Sequence, residues 1–175
     1  MAPPVSYSVD GTQYLSVLAG WGGGGVIEGS DAGISAASRY VNQGHLFTFA
    51  LGASGKLPEI PLRNLVIADP LPVLELKPGA ADAGSALFQR YCLACHGVEA
   101  VTSGVVPDLR YASLDTHAHF ADIVLGGIRA HMGMASFADL LNADDVRAIQ
   151  AYVIRRARET KQAEGAGSAA PPYAP

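Results

Sequence analysis

The sequence predicts a mainly α protein: a helical domain over 81–160, preceded by an incomplete β segment over 1–52 and a Pro-rich linker over 53–80, and followed by a disordered tail over 161–175. Three observations predict it. Up to about residue 50, short β-rich runs alternate with turn signals. Then Pro58, Pro61, Pro70, Pro72 and Pro78 recur too often for a helix to form. Beyond them, apolar residues return at helical spacing between capping residues.

In the β segment, VSYSV and QYLSVLAG flank Asp10-Gly11, a hairpin signal. After the turn Tyr14, Ser16 and Leu18 alternate with Leu15, Val17 and Ala19, so both faces are largely apolar, as in strands buried on two sides. HLFTFALG (45–52) reads as a third strand of the same kind, and a long loop opening with Trp21 and a glycine run lies between. Three strands cannot cover both faces, and their edges invite pairing, so oligomerisation through exposed β edges is expected. The linker reads as an extended segment lying along a surface.

In the helical part, Asp82 is placed to cap a helix carrying Leu87, Phe88 and Tyr91. Asp115 or Thr116 is placed to cap a second, with Phe120, Ile123 and Val124 on one face and Gly126-Gly127 at its end. A third starts at Asn142; its acidic first turn and basic last turns suit the helix dipole, and Val146, Ile149, Tyr152 and Val153 form its apolar stripe.

Bulk properties exclude some functions. Hydrophobic residues make up 49% and the formal net charge is −4, with no run of Lys or Arg. Nothing here favours nucleic acid or an anionic membrane surface. No apolar stretch approaches the roughly 20 residues of a membrane span. MAPPVSYSVDG has neither the basic nor the apolar region of an export signal.

Both cysteines lie in RYCLACHGVEA, as Cys92-Leu93-Ala94-Cys95-His96. Two thiols one helical turn apart can meet the two vinyl groups of a haem, and the following imidazole can reach the iron from the same side. A redox dithiol would be expected after a strand in a βαβ setting, whereas here a helix leads in. A structural zinc site would need two further ligands at regular spacing; His117 and His119 are not a usual pair. For the sixth ligand, IRAHMGMASFADLL offers His131, Met132 and Met134; Met134 is the choice, next to Gly133, which permits close backbone approach. His96 should donate its second N–H to a carbonyl, and VVPDLRY offers that of Pro107. Arg110 stands where a haem propionate could be met, or is a solvated surface arginine. His45, His117 and His119 read as surface or loop histidines without a role.

The helical half resembles a class I cytochrome c domain, in which a first helix with a glycine and an aromatic crosses the last helix; Gly84 and Phe88 against Tyr152 match this. VVPDLR looks like the family's proline loop and GMASF like its methionine loop. Roughly residues 3 to 158 are similar to the C-terminal end of quinohaemoprotein alcohol dehydrogenases, which join a β-propeller holding pyrroloquinoline quinone (PQQ) and calcium to a cytochrome c domain. PPVSYSVDGTQYLSVLAGWGGG and GHLFTFALG look like final propeller strands, a remnant of a blade. SALFQRYCLACHG, VVPDLRYAS, HFADIVLGG and GMASFADLLNADDVRAIQAYVI follow the cytochrome domain in order.

The resemblance implies one covalent haem c on Cys92, Cys95, His96 and Met134, with PQQ and calcium only in the missing propeller. It implies a periplasmic location, with the export signal upstream of this sequence. The leading expectation is an electron-transfer module between reduced PQQ in a propeller domain or subunit and a periplasmic acceptor (a cytochrome, a cupredoxin or a quinone-linked protein). The alternatives are a piece of the dehydrogenase that is not catalytic alone, for want of a visible cluster of quinone-site carboxylates and metal ligands, and a truncated fragment whose β part only mediates association.

Overall fold

The computed structural model describes residues 3–20, 40–41, 43–102 and 104–165. Its elements are β1 (Val5–Val9), β2 (Thr12–Ala19), β3 (His45–Ala50), α1 (Ala80–Tyr91), α2 (Leu93–His96), α3 (Leu114–Ala118), α4 (Phe120–Val124) and α5 (Ala143–Gly165). Short 3-10 turns lie at Val98–Ala100, Leu109–Tyr111 and Ala130–Met132.

The three strands form one antiparallel sheet in the order β1-β2-β3. Asp10 and Gly11 both have positive φ (49° and 77°), which a two-residue hairpin turn demands and Asp-Gly tolerates. Register pairs Tyr7 with Tyr14, and Ser16 with Thr48. The third strand stops at Ala50 rather than reaching 52, because Ala53 N–H turns back to the Ala50 carbonyl (3.1 Å). Both faces stand open: Val5, Tyr7, Val9, Leu18 and Leu46 are exposed on one, Leu15 and Phe49 on the other. The expected Trp21 loop falls outside the described residues.

The linker carries no helix; Tyr40 bridges Leu62, and Val41 N–H donates to the Pro61 carbonyl (2.9 Å). Its later part lies against α5, where Arg158 donates to the Pro72 carbonyl (3.2 Å) and Lys161 pairs with Asp69 (2.8 Å).

α1 and α5 cross in close contact. Phe88 stacks tilted on Tyr152 with ring centroids 5.2 Å apart, over a core of Val146, Ile149, Val153, Phe120 and Val124. Asp82 is not the cap of α1. The helix starts earlier, at Ala80 behind Gly79 in a left-handed conformation, and Asp82 sits in the first turn paired with Arg155 (2.5 Å). Nor does Asp115 or Thr116 cap the second helix: Ser113 accepts from Thr116 N–H (3.1 Å), and that helix breaks into α3 and α4 at His119 (φ −100°, ψ 19°). Asn142 does cap α5, accepting from the N–H groups of Asp144 (2.9 Å) and Asp145 (3.0 Å) while Asp145 accepts from Asn142 N–H. α5 continues to Gly165, into the stretch expected to be a tail; 166–175 lie outside the described residues.

Candidate functional site

The cysteine motif sits at the end of the α1 path. Cys92 N–H still bonds the Phe88 carbonyl (2.8 Å), and the chain winds on through α2, where His96 N–H donates to the Cys92 carbonyl (2.8 Å). Gly97, at φ 72°, stops it. Cys92 is half-buried against the core, Cys95 is exposed, and both thiols are free. Burial, then the neighbouring Cys95, pushes the Cys92 thiol up to about 11. A redox dithiol needs the opposite, a thiol that ionises easily, so this environment counts against the dithiol reading. Among the described residues no group of three or more His, Cys, Asp or Glu is placed to hold a metal ion.

His96 is buried, and its Nδ1 lies 3.2 Å from the Pro107 carbonyl oxygen. A carbonyl only accepts, so the proton belongs on Nδ1 and Nε2 keeps its lone pair for a metal. Burial lowers the pKa of His96, against the opposing influence of Pro107 and Asp108, and the neutral, ligating form is favoured. The loop holding Pro107 is itself tied: Thr102 Oγ1 donates to the Val106 carbonyl (2.7 Å), and Asp108 Oδ2 accepts from Thr102 N–H (3.3 Å).

Arg110 has partners the sequence did not reveal. Its Nε and Nη2 donate to Asp108 (3.0 and 2.7 Å) and its Nη1 to Thr160 on α5 (3.3 Å). Burial works against its charge, but Asp108 more than offsets this and the pKa lies above the ordinary value. It is not a solvated surface arginine: its Nε, Nη1 and Nη2 each donate to Asp108 or Thr160.

The three sixth-ligand candidates separate. His131 and Met132 are exposed, whereas Met134 is half-buried against the core. Gly133 (φ 93°) makes the turn, and Met134 N–H bonds the Arg129 carbonyl (3.2 Å). Behind it, Phe137 N–H donates to the Val124 carbonyl (2.8 Å) and Ser136 Oγ to the Leu125 carbonyl (2.5 Å), fastening the loop to α4. Leu87, Leu109, Leu125 and Phe137 join Cys92 and Met134 as half-open apolar residues on the core's edge. The Cys92 thiol and the Met134 thioether share that edge, and with the Cys95 thiol and His96 Nε2 they are the residue types that would hold a haem.

His117 is not a surface residue. It is 5% exposed, stacks against Phe120 at 6.3 Å, and neither ring nitrogen has a partner. The signal was there: His117, Phe120 and Val124 recur at helical spacing on one apolar stripe.

Residues 79–153 match the family model described as cytochrome C oxidase, cbb3-type, subunit III. The chain is 39% identical over 162 residues to quinohemoprotein alcohol dehydrogenase ADH-IIG of Pseudomonas putida, covering 93% of this chain and 22% of that one. To the dehydrogenase subunit of alcohol dehydrogenase (quinone) of Acetobacter aceti it is 35% identical over 166 residues, covering 94% and 22%. The solved structure of ADHIIG from Pseudomonas putida HK5 superposes with a TM-score of 0.72 at 36% identity, over 91% of this chain and 22% of that one. In fold the chain is similar to the cytochrome c domain of these quinohaemoprotein alcohol dehydrogenases. The chain corresponds to the C-terminal cytochrome part of the quinohaemoprotein alcohol dehydrogenases, about 22% of the length of these relatives. Among the described residues no helix is long and apolar enough to cross a membrane, 23-residue α5 included.

Proposed function

We propose that this chain is a periplasmic electron-transfer module holding one covalently attached haem c. When bound, the haem supplies a one-electron Fe(III)/Fe(II) couple. Cys92 and Cys95 would hold the ring through thioethers, and His96 Nε2 and Met134 would supply the protein's ligands to the iron. Pro107 fixes the imidazole's tautomer and orientation through its carbonyl. The observation that carries the reading is the His96 Nδ1 to Pro107 bond (3.2 Å), which leaves Nε2 free beside two helix-borne thiols.

Electrons come from reduced PQQ in a calcium-containing propeller domain or subunit and leave to a periplasmic acceptor, a cytochrome, a cupredoxin or a quinone-linked protein. The uncovered sheet supports the propeller partner, since its apolar strands need neighbours on their edges and faces. The dehydrogenase relatives support it too. Alcohol oxidation, on this reading, belongs to the propeller.

The test is an absorption spectrum of the chain exported to a periplasm with haem-maturation machinery. The expected result is a sharp reduced c-type spectrum with the weak long-wavelength sulfur-to-iron band when oxidised. Absence of covalent haem overturns the proposal. Stopped-flow mixing with a complementary PQQ propeller and alcohol should then reduce the haem; failure to do so removes the propeller as donor.

A further inference from the structure

We infer that the buried Asp108–Arg110 pair is a charge-balanced positioning element for His96, and that its two charges bias the potential of the haem iron in opposite directions. This rests on the haem reading of Cys92, Cys95 and His96.

Asp108 directly follows the residue whose carbonyl accepts from His96 Nδ1. Its carboxylate is 2% exposed and takes four N–H donors: Thr102 N (3.3 Å), Arg110 N (3.1 Å), Arg110 Nε (3.0 Å) and Arg110 Nη2 (2.7 Å). A carboxylate so far from water needs a matched cation and several donors in place of its hydration. Arg110, through Thr160, also ties the loop to α5. One arrangement therefore fixes the Pro107 carbonyl and places a balanced pair of charges one peptide from the bond that orients the iron's ligand.

Reduction changes the charge on the iron by one, so nearby fixed charge matters. A lone anion favours the ferric state and lowers the potential; a lone cation favours the ferrous state and raises it. At a buried site these effects are weakly screened by salt. In the native pair they largely cancel.

The experiment is redox titration of the haem-loaded protein carrying Asp108→Asn, Arg110→Gln, the double substitution, and Arg110→Lys. Asp108→Asn should raise the potential and Arg110→Gln should lower it. The double variant should return towards the native value, and Arg110→Lys, which keeps the charge but loses the fork, should stay close to it. A clamp with only a structural role would move both single variants in the same direction, with no recovery in the double; that result, or no shift at all, overturns the inference. Should Arg110→Gln fail to fold with its buried carboxylate unpaired, the other three variants still decide between the two. Native protein without a c-type spectrum is a different failure, that of the haem reading itself.

Discussion

Gly84 on α1 lies against the main chain of Ala148 on α5, so closely that a Cβ at position 84 would come within 1.9 Å of the Ala148 carbonyl oxygen and 2.9 Å of the Ile149 nitrogen. Both obstacles are backbone, and neither can swing aside as a side chain would. One turn further along, Phe88 meets Tyr152. Gly84→Ala must therefore force the two helices apart and loosen the core between them. Overpacking of this kind costs about 3 kcal/mol. Thermal unfolding followed by circular dichroism should show a clearly lowered Tm and reduced haem incorporation. A variant as stable as the parent would rule out this helix crossing.

His117 makes the opposite prediction. Its ring nitrogens are buried without partners, and unpaired buried polar atoms cost about 1–3 kcal/mol. His117→Leu keeps the apolar contact with Phe120 and removes that cost, so it should stabilise the domain by about 1 kcal/mol at about pH 7.5. Burial also lowers the pKa of His117 below its ordinary value. The unfolded chain then takes up this proton first as pH falls through about 6.5, so the native protein loses stability on acidification and has it in full above that value. The Leu variant lacks this component. Its advantage in denaturant melts should therefore widen between about pH 7.5 and about pH 5, where the unfolded histidine is protonated. A constant difference would mean that His117 reaches water or a partner.

Met134 and Met132 differ in placement and should differ in consequence. Met134 packs on the core, whereas Met132 is 74% exposed. Met134→Ala should abolish the long-wavelength sulfur-to-iron band, lower the potential and let added imidazole bind the ferric iron. Met132→Ala should leave all three unchanged. The reverse pattern, read from oxidised spectra with and without imidazole, would move the ligand to Met132.

These cases also mark what could be read from the chain alone. The hairpin was legible because Asp10-Gly11 suits positive φ at both turn residues, and little else does. The α1–α5 crossing was legible only through the resemblance to class I cytochrome c domains, which Gly84, Phe88 and Tyr152 carry; the close contact at Gly84 gives its physical reason. Caps were less so: Asp82, Asp115 and Ser113 are all capable, and tertiary contacts decide which acts, as when Arg155 draws Asp82 into an ion pair. Arg110 was illegible for a stronger reason. One partner, Thr160, lies 50 positions away on another helix, and no local pattern announces such a contact. His117 was hidden only by the habit of treating a polar residue near a helix end as exposed, although its spacing from Phe120 and Val124 placed it inward.

The sheet supplies the last prediction. Register puts Val5, Tyr7, Leu18 and Leu46 on one face, where Leu18 is paired with Leu46 and both are largely exposed (56% and 65%). The middle of that face is polar but internally satisfied: Ser16 Oγ reaches Tyr7 Oη (3.2 Å) and Thr48 Oγ1 (2.8 Å). What remains to be covered is therefore apolar, and exposed apolar surface on a sheet face favours association. The chain alone should self-associate with rising concentration in sedimentation velocity, and Leu18→Lys with Leu46→Lys should shift it towards monomer. Neither position lies in the helical domain, so haem spectrum and potential should stay as they were. The same pair should weaken binding to a complementary PQQ propeller, because a desolvated lysine on a face meant for apolar contact costs several kcal/mol unless paired. Unchanged sedimentation of the double variant would show that the open faces are not what holds copies together, leaving the edges of β1 and β3, which no strand among the described residues pairs, as the remaining route.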